Sequence, residues 1–500
     1  MKTVPSYDDY TKILDDIKLA DSENRFDKDE PDLNDNEQKL DNYMNDKRKD
    51  LIGDRYTYDA YAPALMFNKS YDDIINNDLF VNVFKLMPSG GNLHIHTSST
   101  YKTDKFADML ADNPDVYLYW DPDAGLDIKY PHGKLYLLSK APDDPKFLRY
   151  ADISNKDIYE ESKRLLTFID KRIDAIDYIW DGFNDYFARV GSILKVRPIY
   201  KQYYTKAFEY QYQNGNDYIE IRAGVGALKD NNDDELTGNA SPEEVYSTDV
   251  PEAIRTLLTA YQEVKSTHSD FKVKVIISPS RTQSVEQVIA ILKNVPAWIA
   301  ACKDTDSDFI IGFDLVSEED VNHKTDDYAK AIIEALQEMG QDVNFYFHDG
   351  ESNWADDDNV HSAYALGTKR VGHGLNIYNF PGLMDKIKAD NICLEVCPIS
   401  NQMLRYIKDL RIHPITEYME RGIQCVVCSD DPQLFETVGT YYDMWEVYHG
   451  SLINLRDIKA LIKNSYKFSG MTDTEKNEKL SAWQVKWNAF VADRVDKLRL

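Results

Sequence analysis

Between residues 91 and 428, eight short apolar runs of strand length alternate with segments of helical periodicity: 91–96, 218–223, 273–278, 309–315, 343–347, 370–372, 392–396 and 423–428. Strands separated by helices cannot be joined by hairpins, so this order builds a parallel sheet. Eight such units predict a (β/α)8 barrel of the triosephosphate-isomerase type, an α/β fold that holds a long chain in one domain. Such a barrel gathers chemistry at the carboxyl ends of its strands.

The rest of the chain is arranged around these runs. Residues 1–86 are highly charged, with helices predicted over 7–20, 37–51 and 70–86 and a Pro- and Asp/Asn-rich loop at 27–36, and they read as an N-terminal helical extension. The barrel spans 87–475 and a last helix 476–500. The gap of about 120 residues between the first and second runs exceeds an ordinary βα crossover and implies an inserted subdomain at about 100–170. Its stretches 116–123 and 130–133, aromatic and containing Pro122 and Pro131, read as irregular. Helical pattern returns over 159–212, with Trp180 and Phe183 opening one helix. There is no internal repeat.

Charge and cysteine usage narrow the function classes. The formal charge of −28, from 86 acidic against 58 basic residues, repels phosphates and anionic lipid, so neither nucleic acid nor a membrane is an expected partner. The acidic patches 27–41 and 231–235 read as solvated surface. Five cysteines, an odd number lying mostly in apolar runs, do not form a disulfide framework. Cys425-Val426-Val427-Cys428 has metal-pair spacing, yet no second such pair accompanies it, and core cysteines are the favoured reading. The first ten residues hold no apolar signal region, and no uninterrupted apolar run reaches about 18 residues, which reads as a soluble, unanchored chain.

Metal-capable residues cluster at the strand ends. His94 and His96 sit at i and i+2 on one face of the first run. The fifth run ends in His348-Asp349-Gly350-Glu351, the sixth in Gly372-His373-Gly374 and the eighth in Ser429-Asp430-Asp431-Pro432. Each alone is readable as a capped turn. Around one axis they supply three imidazoles and a carboxylate, which leave a coordination position for water, together with a glutamate, a histidine and an aspartate for chemistry.

These runs, with 87–96 ahead of them, occur in the order found in the adenosine deaminase family, which the chain resembles over about 80–470. The runs 218–222, 394–404 and 409–414 are similar to those of its extracellular, growth-factor-like branch, whose members are usually secreted. The resemblance implies one Zn2+ per chain held by His94, His96, His348 and Asp430. It makes Glu351 the donor of a proton to purine N1, His373 the group that orients the attacking hydroxide, and Asp431 the partner of N7. It implies adenosine as substrate, with 2′-deoxyadenosine beside it, and a homodimer built through residues 1–86. Trp180 and Ser317 are further expected substrate contacts. Two positions depart from the family pattern: Thr97-Ser98-Ser99 follow His96 where an aspartate is common, and Ser317 stands where a glycine is common. Another 6-aminopurine compound as substrate, or a receptor-binding protein with secondary deaminase activity, are the alternatives.

Overall fold

The computed structural model describes residues 6–52, 67–123, 132–168, 176–237, 248–303, 308–354, 356–451 and 453–500. Eleven strands are present among them. Eight are parallel and form two four-stranded sheets. The first sheet runs in the order β1 (Gly90–His96), β5 (Asn216–Ala223), β6 (Lys272–Ile277) and β7 (Ile310–Phe313). The second contains β8 (His348–Asp349), β9 (Arg370–His373), β10 (Cys393–Val396) and β11 (Cys425–Val427). Isolated parallel bridges link the sheets at both seams, Phe313 to Phe345 and Ile95 to Asp430. At the second seam His96 donates its N–H to the Asp430 carbonyl (3.1 Å) and Asp430 returns one to His94 (3.0 Å).

Every strand residue except Lys272 and His96 is buried in these two sheets. Strands covered on both faces must be apolar throughout, which is why the sequence shows runs and not alternation. The fifth expected run, 343–347, lies between β7 and β9: Phe313 donates to the Asn344 carbonyl and accepts from Tyr346, while Lys369 donates to Phe345 and Gly372 to Phe347, and continuous strand pairing starts at β8. The helix Val285–Cys302 has the length and hydropathy of a membrane span. It nevertheless carries Glu286 and Lys293, and it buries Val288, Ile291, Leu292, Val295 and Trp298 along one side, as a helix covering a sheet does. All five cysteines are buried free thiols.

The segment after β1 is more regular than its sequence suggests. Residues 116–119 form β2 (Val116–Tyr119), paired antiparallel with β3 (Leu135–Leu137) and β4 (Phe147–Arg149). Period-two alternation explains it: Val116 and Leu118 join the main core, while Tyr117 and Tyr119 pack with Tyr136 and Leu138 on the other face. Of the other stretch read as irregular, Tyr130 and Pro131 lie outside the described residues.

The N-terminal segment differs in two ways. The helix expected over 70–86 is split into Phe67–Ile75, Asp78–Asn82 and a 3-10 turn Phe84–Leu86. Asn77 causes the break, because its side chain accepts the N–H groups of Leu79 and Phe80 and so starts a new helix. The acidic patch 27–41 is solvated only in part, at Asp29, Asp32 and Asp35. Asp27, Glu30, Glu37 and Asp41 are buried and paired with the helix Leu455–Lys467: Arg456 bonds Asp27, Lys463 Nζ lies 2.6 Å from Glu30, Lys459 Nζ 2.8 Å from Glu37, and the Leu455 N–H reaches Asp41 at 2.8 Å. Breaking a buried pair strands its partner. Glu37→Ala, which leaves Lys459 and the Trp487 indole N–H short of an acceptor, is expected to lower stability by about 3 kcal/mol, read from the denaturant midpoint; a loss below about 1 kcal/mol would show that the pair does not tie this segment down.

Candidate active site

The ends of β1, β8, β9 and β11 bring His94, His96, His348, His373 and Asp430 together. Ligand atoms of His94, His348, His373 and Asp430 lie within 4.8 Å of one another, and those of His96, Asp430 and Asp431 form a second group sharing Asp430. His96 Nε2 is 3.1 Å from His348 Nε2 and 3.0 Å from Asp430 Oδ1. His94 Nε2 is 3.4 Å from the same oxygen.

The outward ring nitrogens fix the tautomers. His94 Nδ1 lies 2.9 Å from Glu395 Oε2 and His348 Nδ1 2.6 Å from Asp314 Oδ2. A carboxylate partner draws the proton to Nδ1 and leaves the Nε2 lone pair directed inward, as metal-ligating imidazoles require. His94 Nε2 is fully buried with no hydrogen-bond partner. Two imidazole nitrogens 3.1 Å apart and an orphaned third beside a carboxylate are unfavourable as they stand and are satisfied together by one cation at their centre. The residues therefore fit a His/Asp metal-binding group.

Electrostatics separates the acids. Burial opposes the charge of Asp430, yet the adjacent His94 and His96 imidazoles hold it well below the usual carboxylate range. Burial, followed by the charges of Asp430 and Asp431, pushes Glu351 well above that range. Burial and then Asp430 raise Asp431 to about 7, and the Ser99 hydroxyl donates to its Oδ1. Burial lowers His373 to about 3 and, with His94, drives His348 well below the histidine range. His96 is raised, Asp431 and Asp430 outweighing burial. His373 Nε2 lies 3.5 Å from Glu351 Oε1.

A cavity of about 470 Å³ opens on this centre, lined by His96, His348, Glu351, His373, Asp430 and Asp431, within the range of small-molecule sites. Trp180, from the helix Ile179–Val190, and Ser317, after β7, line it too. The Trp180 indole N–H donates to the Tyr406 hydroxyl at 2.8 Å. Thr97 and Ser98 also reach the cavity, their carbonyls held by Tyr204 and Tyr186 hydroxyls.

The supporting residues were not singled out by the sequence reading: Glu395, Asp314, Arg222, Arg370, Arg281 and Glu319. Arg222 bonds Asp314 (3.0 Å) and Glu395, and Arg281 reaches Asp349 (2.6 Å). Their signal was available, since Asp314 and Glu395 are single charges, and Arg222 one of two with Glu220, inside apolar strand runs, and a charge buried in a strand needs a partner.

An α/β protein with a buried His/Asp group at the carboxyl ends of parallel strands has the fold of solved amidohydrolase and deaminase structures. An amidohydrolase from Burkholderia ambifaria with bound Zn superposes with a TM-score of 0.58 at 16% identity, covering 84% of this chain and 96% of its own. The adenine deaminase of Arthrobacter aurescens gives 0.54 at 18%, covering 82% and 99%. The adenosine deaminase family model matches residues 150–484, and the chain belongs to that family. It is 27% identical to adenosine deaminase 2 of Homo sapiens over 453 residues, 87% of this chain and 84% of that one. It is likewise 27% identical to the adenosine deaminase of Phlebotomus duboscqi over 451 residues, 87% and 82%. The family match begins after β1, so the structure is what brings His94 and His96 to the residues inside it.

Ser317 has φ +85°, in the left-handed region where glycine is favoured, which accounts for a glycine being common at this place. Ser317→Gly is expected to raise stability by about 1 kcal/mol through release of that strain, seen as a higher melting temperature; a fall would show that the 2.8 Å contact of its hydroxyl with Ser280 outweighs the backbone term.

Proposed function

We propose that this chain is a zinc-dependent adenosine deaminase converting adenosine, and 2′-deoxyadenosine, to inosine and ammonia. The observation that carries the reading is the buried, unpartnered His94 Nε2 facing Asp430 and His348, with Glu351 and His373 at the same centre. The curated relatives quoted above are adenosine deaminases, which supports the choice of substrate. We read the two bridged sheets as one closed eight-stranded barrel, with extension 1–86, insertion at about 100–170 and final helix 476–500 as appendages.

His94, His96, His348 and Asp430 would hold the zinc. Zinc bound there supplies a Lewis acid that makes hydroxide available from water near neutral pH. Glu351, whose carboxyl burial and the neighbouring Asp430 and Asp431 bias toward its protonated form, gives its proton to purine N1, and this leaves C6 electron-poor. His373, neutral because its pKa is depressed, accepts a hydrogen bond from the attacking water. The water oxygen bonds to C6 and the C6–N bond breaks; one of the water's protons leaves with the amino group as ammonia, and the other returns to Glu351 as C6 becomes a carbonyl. Purine N7 only accepts, so Asp431 must be protonated to bond it; with a pKa of about 7 it is mostly neutral below that pH and loses the donor above it. The Ser317 N–H faces N3, and Trp180 walls the base.

A second reading has one observation in its favour. Among the described residues the cavity lining holds no carboxylate besides Glu351, Asp430 and Asp431, and Thr97 and Ser98 stand beside His96. A 6-aminopurine with a different N9 substituent is the substrate this would suit, and comparing kcat/KM for adenosine, adenine and 5′-deoxyadenosine decides between them. A purely receptor-binding role would need none of the buried metal group.

The experiment for the main reading follows inosine release by absorbance together with metal analysis. One zinc per chain is expected, lost in His94→Ala and Asp430→Ala. Glu351→Gln should keep zinc and lose roughly 10²–10⁴-fold in turnover. Full zinc in both ligand variants, or normal turnover in Glu351→Gln, would sink the assignment.

A homodimer through residues 1–86 belongs to the same proposal. The helix Tyr7–Asn24 buries no residue and exposes Tyr7, Tyr10, Ile13 and Ile17, a stripe at helical spacing. Ile13→Asp with Ile17→Asp is expected to give monomers by light scattering, and a variant that stays dimeric removes this helix from the interface.

A further inference from the structure

Glu319, two residues beyond Ser317, does not line the cavity, is 3% exposed, and takes part in no ion pair among the described residues. Its carboxylate is instead committed to the loop that carries Glu351. Oε1 accepts the backbone N–H of Glu351 at 2.5 Å and of Ser352 at 3.2 Å. Oε2 accepts the Gly350 N–H at 3.1 Å and the Asn359 side-chain amide at 3.1 Å. Three consecutive main-chain donors thus converge on one carboxylate, an arrangement typical of an anion-binding nest. Buried donors of this kind cost free energy if unmade.

The loop has little freedom to satisfy them otherwise. Gly350 has φ +69°, and a Cβ there would come within 2.4 Å of Asn376 Oδ1 and 2.7 Å of Val360. Asn376 donates to the Asp357 carbonyl at 2.8 Å and its carboxylate at 3.1 Å, and the Ser352 hydroxyl reaches that carboxylate at 3.3 Å. The loop is therefore gripped from two sides, by Glu319 at its amides and by Asp357 through Asn376 and Ser352. The grip includes the amide of Glu351 itself, a single residue's side chain away from the proton that the reaction needs.

We propose that Glu319 is a positioning residue that fixes the Glu351 carboxyl against purine N1 by clamping the backbone of 350–352. The inference rests on the reading of Glu351 as proton donor. Displacement of a reacting group by about 1 Å costs up to about a hundredfold, so the clamp acts on the rate of the chemical step while the cavity that binds the nucleoside stays as it is.

The test uses the zinc-loaded full chain with adenosine. Glu319→Ala should lower kcat by roughly 10–100-fold with KM changed less than about threefold and zinc content unchanged. Glu319→Gln, which keeps the size and one acceptor oxygen, should fall between Ala and the unmutated enzyme. The amides of 350–352 should exchange hydrogen faster in both variants. Placed on Glu351→Gln, the Glu319 substitution should cost nothing more, because the group it positions is already lost. A merely structural role would lower melting temperature, zinc and turnover together and would multiply with Glu351→Gln. Losses that multiply, unchanged kcat, or unchanged amide exchange would each overturn the proposal. If the alanine variant does not fold, Glu319→Gln alone and combined with Glu351→Gln carries the same test. Absence of inosine from the unmutated chain would overturn the functional reading, and this inference with it, whereas an active enzyme indifferent to Glu319 overturns this inference alone.

Discussion

The carboxylate of Glu395 is the point on which the strand ends depend. It accepts from Arg222 and, at 2.6 Å, from Arg370, and it meets His94 Nδ1 at 2.9 Å, so β10 is tied to β5, β9 and β1 through one side chain. Arg370 continues to Glu220 and Arg222 to Asp314, which holds His348. All of these groups are essentially without solvent contact. Burial alone would neutralise Glu395, yet the two guanidinium groups and His94 hold it well below the usual carboxylate range. Charges so deeply buried are tolerable only as a complete set, because removing one leaves the others unpaired. The same set that joins the strands also orients the imidazoles, so packing and metal-ligand geometry are one constraint.

Backbone strain gathers at the same place. Ser317, His373 and Asp430 all have φ between +56° and +85°, a region that costs a residue with a Cβ about 1–3 kcal/mol. Each follows or ends a strand and must turn its chain sharply to present a group to the cavity. Asp430 is held there by two backbone bonds to β1, its carbonyl accepting from His96 and its N–H donating to the His94 carbonyl. Strain offset by such bonds gives side chains little room to relax, which suits a centre where groups must meet within fractions of an ångström.

The acidity of the chain serves two opposite ends. At the N-terminus, Asp27, Glu30 and Glu37 are buried beside Arg456, Lys463 and Lys459 and act as fasteners. At the cavity, Glu351 and Asp431 are buried close to Asp430 without a cation of their own, and mutual repulsion joins burial in raising them. The buried carboxyls of the N-terminal segment are thus matched by cations, while those at the cavity are raised by burial and by one another.

The sequence by itself determined the order of parallel strands and the identity of the strand-end histidines and acids. Both follow from local rules: strands buried on both faces are apolar runs, and residues just past them project at one end. It also held the charges Arg222, Asp314 and Glu395 inside apolar strand runs. Tertiary structure alone decided how they are matched, which seams bridge, and that Asp27, Glu30, Glu37 and Asp41 are buried. The partners of those acids lie more than 400 residues away along the chain. The period-two alternation at 116–119 was local and legible, but only packing against Tyr136 and Leu138 supplied its second buried face. The clamp of Glu319 on 350–352 spans about thirty residues and depends on the φ of Gly350. Pairing between distant side chains and the direction of backbone amides are properties of the closed-up chain, and no local pattern of residue types encodes them.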